Sequence, residues 1–404
     1  MANTLTPTDI YAIVNAAAHE MYGADATLQA VDTKTFVTVG EAMLRTGYTN
    51  TLNALSNVIG RTIIGIRPYK GDFELITKTP AEWGGIERKI SFYASKFEAS
   101  KNFNTDLNGS QLVDGASIDH YAISKVYPLE LNFCGIKVLE KTYTTFRKQL
   151  KLAFTSESEF AKFYGGMMIA IANDIALGYE GMNRDIVLNA IGATYNNGAT
   201  RSKVNLVTAY NAKFGTSYSA SDLMGTYLKE FCEFFVAKIR GDMALMERYN
   251  ELFHIFPARN DDGGNALTLL RHTPADMRRL LLYMPMWRDA EARVLPALFH
   301  DNYLKLENYE GVEFWQNPNV PASVKVTPNQ LNASTGQSEN GTQVSLDNVV
   351  ALLFDRDALE TSIKLEDVLT TPVNAKGDYY NTVYHWGFNF KFDMTENMIL
   401  YYVA

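Results

Sequence analysis

The chain has 404 residues, 47% of them apolar and 20% charged, which is the composition of folded domains and enough length for two or three structural units. Its formal net charge of −8 lacks the basic excess of a free nucleic-acid binder. Cys134 and Cys232 lie far apart in sequence, which argues against a disulfide framework and fits a reducing compartment.

The N-terminus has no basic stretch followed by an apolar run, and no 18-residue apolar segment occurs, so a soluble protein made in a cytoplasm is expected. The first 60 residues read as loosely organised, with short helices over Ile10 to Met21 and Thr49 to Ile59 and a strand at Ile63 to Ile66. Residues 73 to 155 read as extended chain. Ile90 and Phe92 alternate with Lys89 and Ser91; Tyr127, Leu129, Leu131 and Phe133 alternate with Pro128, Glu130 and Asn132; Leu150, Leu152 and Phe154 repeat the pattern. A polar stretch from Asn102 to Gly115 separates the arms, so one long hairpin with an elaborated tip is expected.

Ser156 and Glu159 form a capping-box pattern. Apolar residues follow at Phe160, Phe163, Met167, Ile171, Ile175, Tyr179, Met182 and Ile186, one stripe of a helix from 157 to 195 that would run roughly 58 Å. Gly165, Gly166, Gly178, Gly181 and Gly192 interrupt it, each costing about 1 kcal/mol relative to Ala; they would allow bending or close backbone approach. Residues 200 to 375 read as a separate α+β unit. It would have a helix after Ser221-Asp222, another from Thr273-Pro274, an amphipathic helix at Trp287, a long surface loop from Asn317 to Gly341 and a buried strand from Val349 to Phe354. The chain then reads as a hairpin: Trp386, Phe388, Phe390 and Phe392 on one face, a turn at Asp393 to Asn397, and a return over Met398 to Val403.

Chemistry-bearing patterns are sparse. No phosphate-binding glycine loop, nucleophile elbow or paired-histidine metal motif is present, so no catalytic, cofactor-binding or metal residue is expected. Asp355 and Asp357 flank Arg356 at a strand end, where catalytic carboxylates do occur; the plainer reading is a polar turn before a helix starting near Ala358.

The order of these elements resembles the α+β Hong Kong 97-type capsid fold of tailed phages. The stretches Leu55 to Arg67, Gly84 to Phe97, Phe146 to Phe160, Val349 to Leu359 and Tyr379 to Phe392 resemble the major capsid proteins of short-tailed Picovirinae-like phages. The resemblance implies an N-terminal arm and entry to the peripheral (P) domain (1–72), an extended E-loop hairpin (73–150), a P domain with its spine helix (151–200), an axial (A) domain (201–375), and a C-terminal hairpin returning to the P-domain sheet (376–404). It implies self-assembly as hexamers and pentamers of an icosahedral virion shell around double-stranded DNA, formed in the bacterial host cytoplasm. A separate scaffolding protein, a portal protein and decoration proteins are the further partners implied; the packaged DNA would be touched weakly and without sequence preference. No membrane partner and no cofactor are expected. Another phage structural protein or a capsid-like compartment shell, and an enzyme with an unrecognised site, are the alternative classes.

In that family the E-loop lies across the P domain of the adjacent subunit. Here the second hairpin arm is basic (Lys137, Lys141, Arg147, Lys148 and Lys151 against Glu140) and the proposed helix is acidic (Glu157, Glu159, Asp174, Glu180 and Asp185 against Lys162 and Arg184). These residues are the candidates for the subunit interface; two independently solvated faces is the other reading of the same charges.

Overall fold

The computed structural model describes residues 7–23, 29–46, 72–78, 87–94, 125–133, 136–149, 157–288 and 309–404, with a few isolated positions between them. Its residues form two units, each assembled from three separate stretches of sequence: 1–85, 135–186 and 360–391 in one, and 86–134, 187–359 and 392–404 in the other. The expected readings at Thr49 to Ile59 (apart from isolated positions), Ile63 to Ile66 and Leu150 to Phe154 lie outside the described residues.

In the first unit, helices α1 (Pro7–Tyr22) and α2 (Thr33–Thr46) pack together. Val14, Ala17 and Ala18 on α1 and Phe36, Val39 and Met43 on α2 are buried, at the three-and-four spacing of one helical face. The region read as loosely organised therefore carries a second helix. It begins where the Asp32 carboxylate accepts from the Thr35 backbone N–H at 2.7 Å, a local cap. A three-stranded antiparallel sheet, ordered β12 (Leu359–Thr370), β13 (Tyr379–Phe392), β3 (Ile136–Phe146), and the first part of the long helix α3 (Glu157–Asn197) belong to the same unit. On β13, Tyr380, Thr382, Tyr384, Trp386 and Phe388 are buried at two-residue spacing, but the face read as running on through Phe390 and Phe392 breaks there, with Phe390 exposed and Lys391 buried. On α3, Ile171 and Ile186 from the expected stripe are buried, while Ile175, Tyr179 and Met182 are half-buried. Asn183 of α3 ties three segments together: its Nδ2 donates to Phe73 O at 3.4 Å and to Thr77 Oγ1 at 3.2 Å, and its Oδ1 accepts from Thr361 Oγ1 at 2.7 Å.

The second unit is centred on a mixed five-stranded sheet ordered β4 (Lys203–Asn205), β14 (Met398–Tyr402), β11 (Val349–Asp355), β5 (Arg278–Tyr283), β6 (Tyr309–Val312). β11 is antiparallel to both neighbours and buried along its whole length, as its unbroken apolar run requires. Helices α4 (Leu206–Phe214), α5 (Ala220–Met224) and α6 (Leu228–Met246) follow β4 in the chain; Phe235 of α6 meets Tyr401 edge-on at 5.8 Å, and buried Asp242 accepts from the Tyr401 hydroxyl at 2.8 Å. The last turns of α3 also belong to this unit. A Cβ at Gly192 would stand 2.5 Å from Val326 Cγ1, so this glycine marks close approach, whereas Gly166, Gly178 and Gly181 face open space.

Several expected elements are corrected. Thr273-Pro274 opens a single 3₁₀ turn, Ala275–Met277, and not a helix, because Leu280, Leu281 and Leu282 are drawn into the sheet beside β11. The turn after Asp355 leads into β12 rather than a helix at Ala358. The segment from Asn317 to Gly341 contains three short strands, β7 (Val324–Val326), β8 (Asn329–Leu331) and β9 (Ser338–Asn340); β8 pairs with β9, and β7 with β10 (Val344–Leu346). The helix predicted after Ser221 starts earlier, capped by a Ser219–Asp222 box, and breaks between Met224 and Leu228. The helical turn at Trp287 is present over 284–288. The final two strands are not a hairpin: β13 pairs with β3 and β12, and β14 with β11 and β4.

Candidate subunit-contact surfaces

The hairpin expected before the long helix exists, in shorter form. Strands β1 (Glu87–Phe92) and β2 (Pro128–Phe133) pair antiparallel, with Lys89 opposite Leu131, Ile90 opposite Glu130, Ser91 opposite Leu129 and Phe92 opposite Pro128. The strand that follows, β3, leaves the hairpin and pairs with β13, placing Lys141 opposite Tyr384 and Lys137 opposite Phe388. Of the basic residues read as the second hairpin arm, Lys137 and Lys141 therefore belong to a different sheet, and Arg147 and Lys148 follow its strand β3.

Alternation makes two faces on the hairpin, and the face turned inward is the unexpected one. Lys89 is half-buried and Ser91 buried, while Ile90 and Phe92 are 52% and 60% exposed. Tyr121, Ile123 and Val126, on the approach to β2, are exposed as well. The inward face is held in two ways. Leu129 and Tyr93 bury against Leu269, with Tyr127, Leu131, Phe256 and Leu267 around them, and the Tyr93 hydroxyl donates to Pro257 O at 2.7 Å. Beside this apolar patch the Lys89 ammonium meets both Asp393 and Glu396 and lies 3.3 Å from Thr395 Oγ1. Arg271 joins the cluster: its Nε donates to Thr395 O at 2.9 Å and its Nη2 to Ser91 Oγ at 2.7 Å. Burial pushes the Glu396 carboxyl above its usual range, against the opposing pull of Lys89 and Arg271.

Behind the cluster runs a buried polar chain. His254 is bonded through Nε2 to Leu269 O and through Nδ1 to Asn397 Oδ1, both at 3.0 Å. Asn397 Nδ2 donates to Thr273 Oγ1 at 3.1 Å, and the Thr273 hydroxyl donates to Asp355 Oδ2 at 2.7 Å. Burial holds the His254 pKa below the usual 6.5 and pushes the Asp355 carboxyl up. Asp355, weighed as a catalytic carboxylate, is thus a member of an internal network that also bonds the Asp357 backbone N–H.

The charged interface candidates fall as follows. Lys137, Lys141 and Lys148 are exposed on or just after β3. Lys141 Nζ is 3.0 Å from Asp174 Oδ2 of the same chain, and the Tyr143 hydroxyl donates to the same oxygen at 3.0 Å. Lys141, then Tyr143, holds the Asp174 carboxyl below its usual range, and burial pushes the Tyr143 phenol up. Arg147 pairs with Asp378 at 3.3 Å. Glu180 is held by Arg184 one helical turn on, and Asp185 is exposed. Lys151 and the side chains of Glu157 and Glu159 lie outside the described residues. At Lys141 and Asp174, then, the basic strand and acidic helix complement each other within one subunit. On the helix itself Ile169 and Leu177 are exposed among Gly166, Ala170, Gly178 and Gly181. Among the described residues there is no group of acidic, histidine or cysteine side chains arranged to hold a metal, and no helix long and apolar enough to cross a membrane.

Sequence reading missed the hairpin's outward apolar pair and the role of Lys89. Alternation defines two faces without saying which one is seated, and the carboxylates that decide it lie 304 and 307 residues away in the chain.

Residues 12–402 match the Phi29-like phage major capsid protein family. The chain belongs to that family. It is accordingly a capsid shell protein, and its α+β architecture has the long helix and preceding hairpin that the Hong Kong 97-type resemblance implied. No curated protein matches the chain. Among solved structures, a chain in the capsid of Staphylococcus phage Andhra is 11% identical with a TM-score of 0.49, the match covering 83% of this chain and 84% of that one. A chain in the structure described as the head fiber and inner core protein gp22 of native bacteriophage P68 is 10% identical with a TM-score of 0.49, covering 84% and 86%. A chain in the capsid of Cyanophage P-SCSP1u is 13% identical with a TM-score of 0.43, covering 84% and 90%.

Proposed function

We propose that this capsid protein assembles as hexamers and pentamers into an icosahedral shell around double-stranded DNA, and that the outward face of the β1–β2 hairpin docks on a second copy of the chain. The observation that carries the reading is the exposure of Ile90 and Phe92 on a ribbon whose other face is already seated. A two-stranded ribbon is marginal alone, and an exposed pair of large apolar side chains on it gains stability only when another surface covers them. The exposed stripe of α3 around Ile169 and Leu177 supplies a second apolar surface of the same kind. The boundaries read from the sequence for arm, hairpin, P domain, A domain and C-terminal return belong to the same proposal. So do assembly in the host cytoplasm and the scaffolding, portal, decoration and DNA partners.

The test combines electron microscopy and sedimentation of purified protein at moderate concentration, with a scaffolding protein supplied in one arm. Wild type is expected to give capsomers or closed shells. Ile90→Glu with Phe92→Glu is expected to stay a folded, small species under the same conditions. A wild-type chain that remains monomeric in every condition overturns the assembly reading; a double variant that assembles like wild type overturns the docking role of the hairpin face.

A further inference from the structure

We propose that Lys89 is the positioning residue that selects which face of the β1–β2 hairpin is turned outward. The proposal rests on the docking reading above and adds what sets it. Within the paired segment 88–92 and 128–132, the inward face carries Lys89, Ser91, Leu129 and Leu131, and the outward face carries Ile90 and Phe92 beside Arg88, Pro128, Glu130 and Asn132. Each face therefore offers two large apolar side chains. Within that segment, burial of apolar surface, which normally decides strand orientation, is close to indifferent between them, although Tyr93 and Tyr127 just beyond it add apolar contact to the inward face.

Charge is not indifferent. The site that receives the inward face holds Asp393, whose side chain is 1% exposed, and Glu396, at 11%. Arg271 supplies one cation there and Lys89 the second, so two carboxylates meet two cations only when Lys89 points in. Turning the ribbon over, or slipping it by one residue, would bring Ile90 against the acidic turn and carry Arg88 inward only together with Glu130, so that the two buried carboxylates would still lack the second net positive charge. It would also break the Arg271–Ser91 hydrogen bond. An unbalanced buried charge is far more damaging than a missing apolar contact. Outside, Arg88 and Glu130 pair across the strands at 2.7 Å where both are solvated, a contact that survives either way up and specifies nothing. A buried ion cluster used to fix register, rather than to add stability, is the role such groups fill best.

The experiment reads the two faces directly in unassembled subunits. With Cys134 and Cys232 replaced by Ser, a single thiol is introduced as Phe92→Cys or as Leu129→Cys, and its rate of reaction with a maleimide is measured. In the otherwise native background the thiol at 92 is expected to react at least tenfold faster than that at 129. Lys89→Met is expected to lower that ratio at least tenfold, with circular dichroism of the rest of the chain retained, and Lys89→Arg to restore it. A Lys89→Met ratio equal to wild type overturns the proposal. Should Lys89→Met fail to fold, Glu396→Gln decides: it keeps the hydrogen bond and removes one charge, so the ratio is expected to fall severalfold, and an unchanged ratio overturns the proposal. Failure of the docking reading shows separately, as normal assembly of Phe92→Glu, and leaves the labelling ratio as an independent judge of Lys89.

Discussion

Two lysine–carboxylate contacts, Lys89 with Asp393 and Glu396 and Lys141 with Asp174, share their chemistry and differ in depth. Lys141 and Asp174 are 55% and 41% exposed, so water and salt screen them and their geometry is one of many that the side chains sample. Lys89 reaches carboxylates that water hardly touches, where losing one partner leaves a charge without solvation. The first contact decorates a surface; the second dictates an arrangement. Counting charges along the sequence ranks them the other way, because the strand bearing Lys141 and the helix bearing Asp174 are each rich in one sign, while Lys89 sits in a stretch of ordinary composition.

The contrast is broken most directly from the buried side. Asp393→Ala is expected to destabilise the subunit by about 3 kcal/mol, since it strips one counter-charge from a desolvated lysine, and urea unfolding followed by circular dichroism measures it. A loss under ~1 kcal/mol would place the cluster with the surface pairs.

A second expected effect is on pH. The folded-state pKa of His254 lies below the usual 6.5, so the unfolded chain takes up the proton first. The contribution of this residue is therefore complete above pH 6.5 and is lost as the pH falls from there towards the folded-state value. Asp355, pushed up by burial, has the opposite sign: its contribution is present in acid and is lost as the pH rises through its folded-state value. His254→Gln keeps a hydrogen-bonding group in place, and it is expected to flatten the decline in melting temperature between pH 7 and pH 5. An unaltered slope would show that other groups set it.

On the exposed side, a double-mutant cycle of Lys141→Ala and Asp174→Ala is expected to give a coupling below about 1 kcal/mol that disappears in high salt. The smallest change expected in the folded subunit, and a separate one in assembly, comes from Lys141→Glu with Lys148→Glu. Its circular dichroism should match wild type while its shell yield at low salt falls, because reversed surface charge slows encounter between copies. Equal yields would confine these lysines to their own subunit.

Legibility from sequence followed the range of the interactions. The run from Val349 to Phe354 and the period-two pattern of β13 announced buried strands, and the Ser156–Glu159 pattern with its stripe announced the long helix, because each signal lies within one element. Pairing across elements stayed hidden. Residues 386–403 look like one hairpin, and only the sheets waiting on either side of Asp393 divide them. Thr273-Pro274 looks like a helix start, and only the vacancy beside β11 for three leucines makes it a strand entry. The candidate interface shows the same limit: the charged residues were visible, their partner in the same chain was not, and the outward apolar pair on β1 was visible as alternation without direction.

The division of each unit among three stretches of sequence has a consequence for synthesis. The first unit needs residues 360–391 beside residues from the first fifth of the chain, and the second places β14, residues 398–402, between β4 and β11. A ribosome releasing the chain from its N-terminus therefore leaves the first unit unfinished until residues 360–391 emerge and the second until β14 emerges. Contacts of such long sequence separation form slowly, and hairpins or helices that appear earlier have no completed body to present them. Neither unit therefore has its complete sheet to offer a neighbour until these late stretches of sequence have been made.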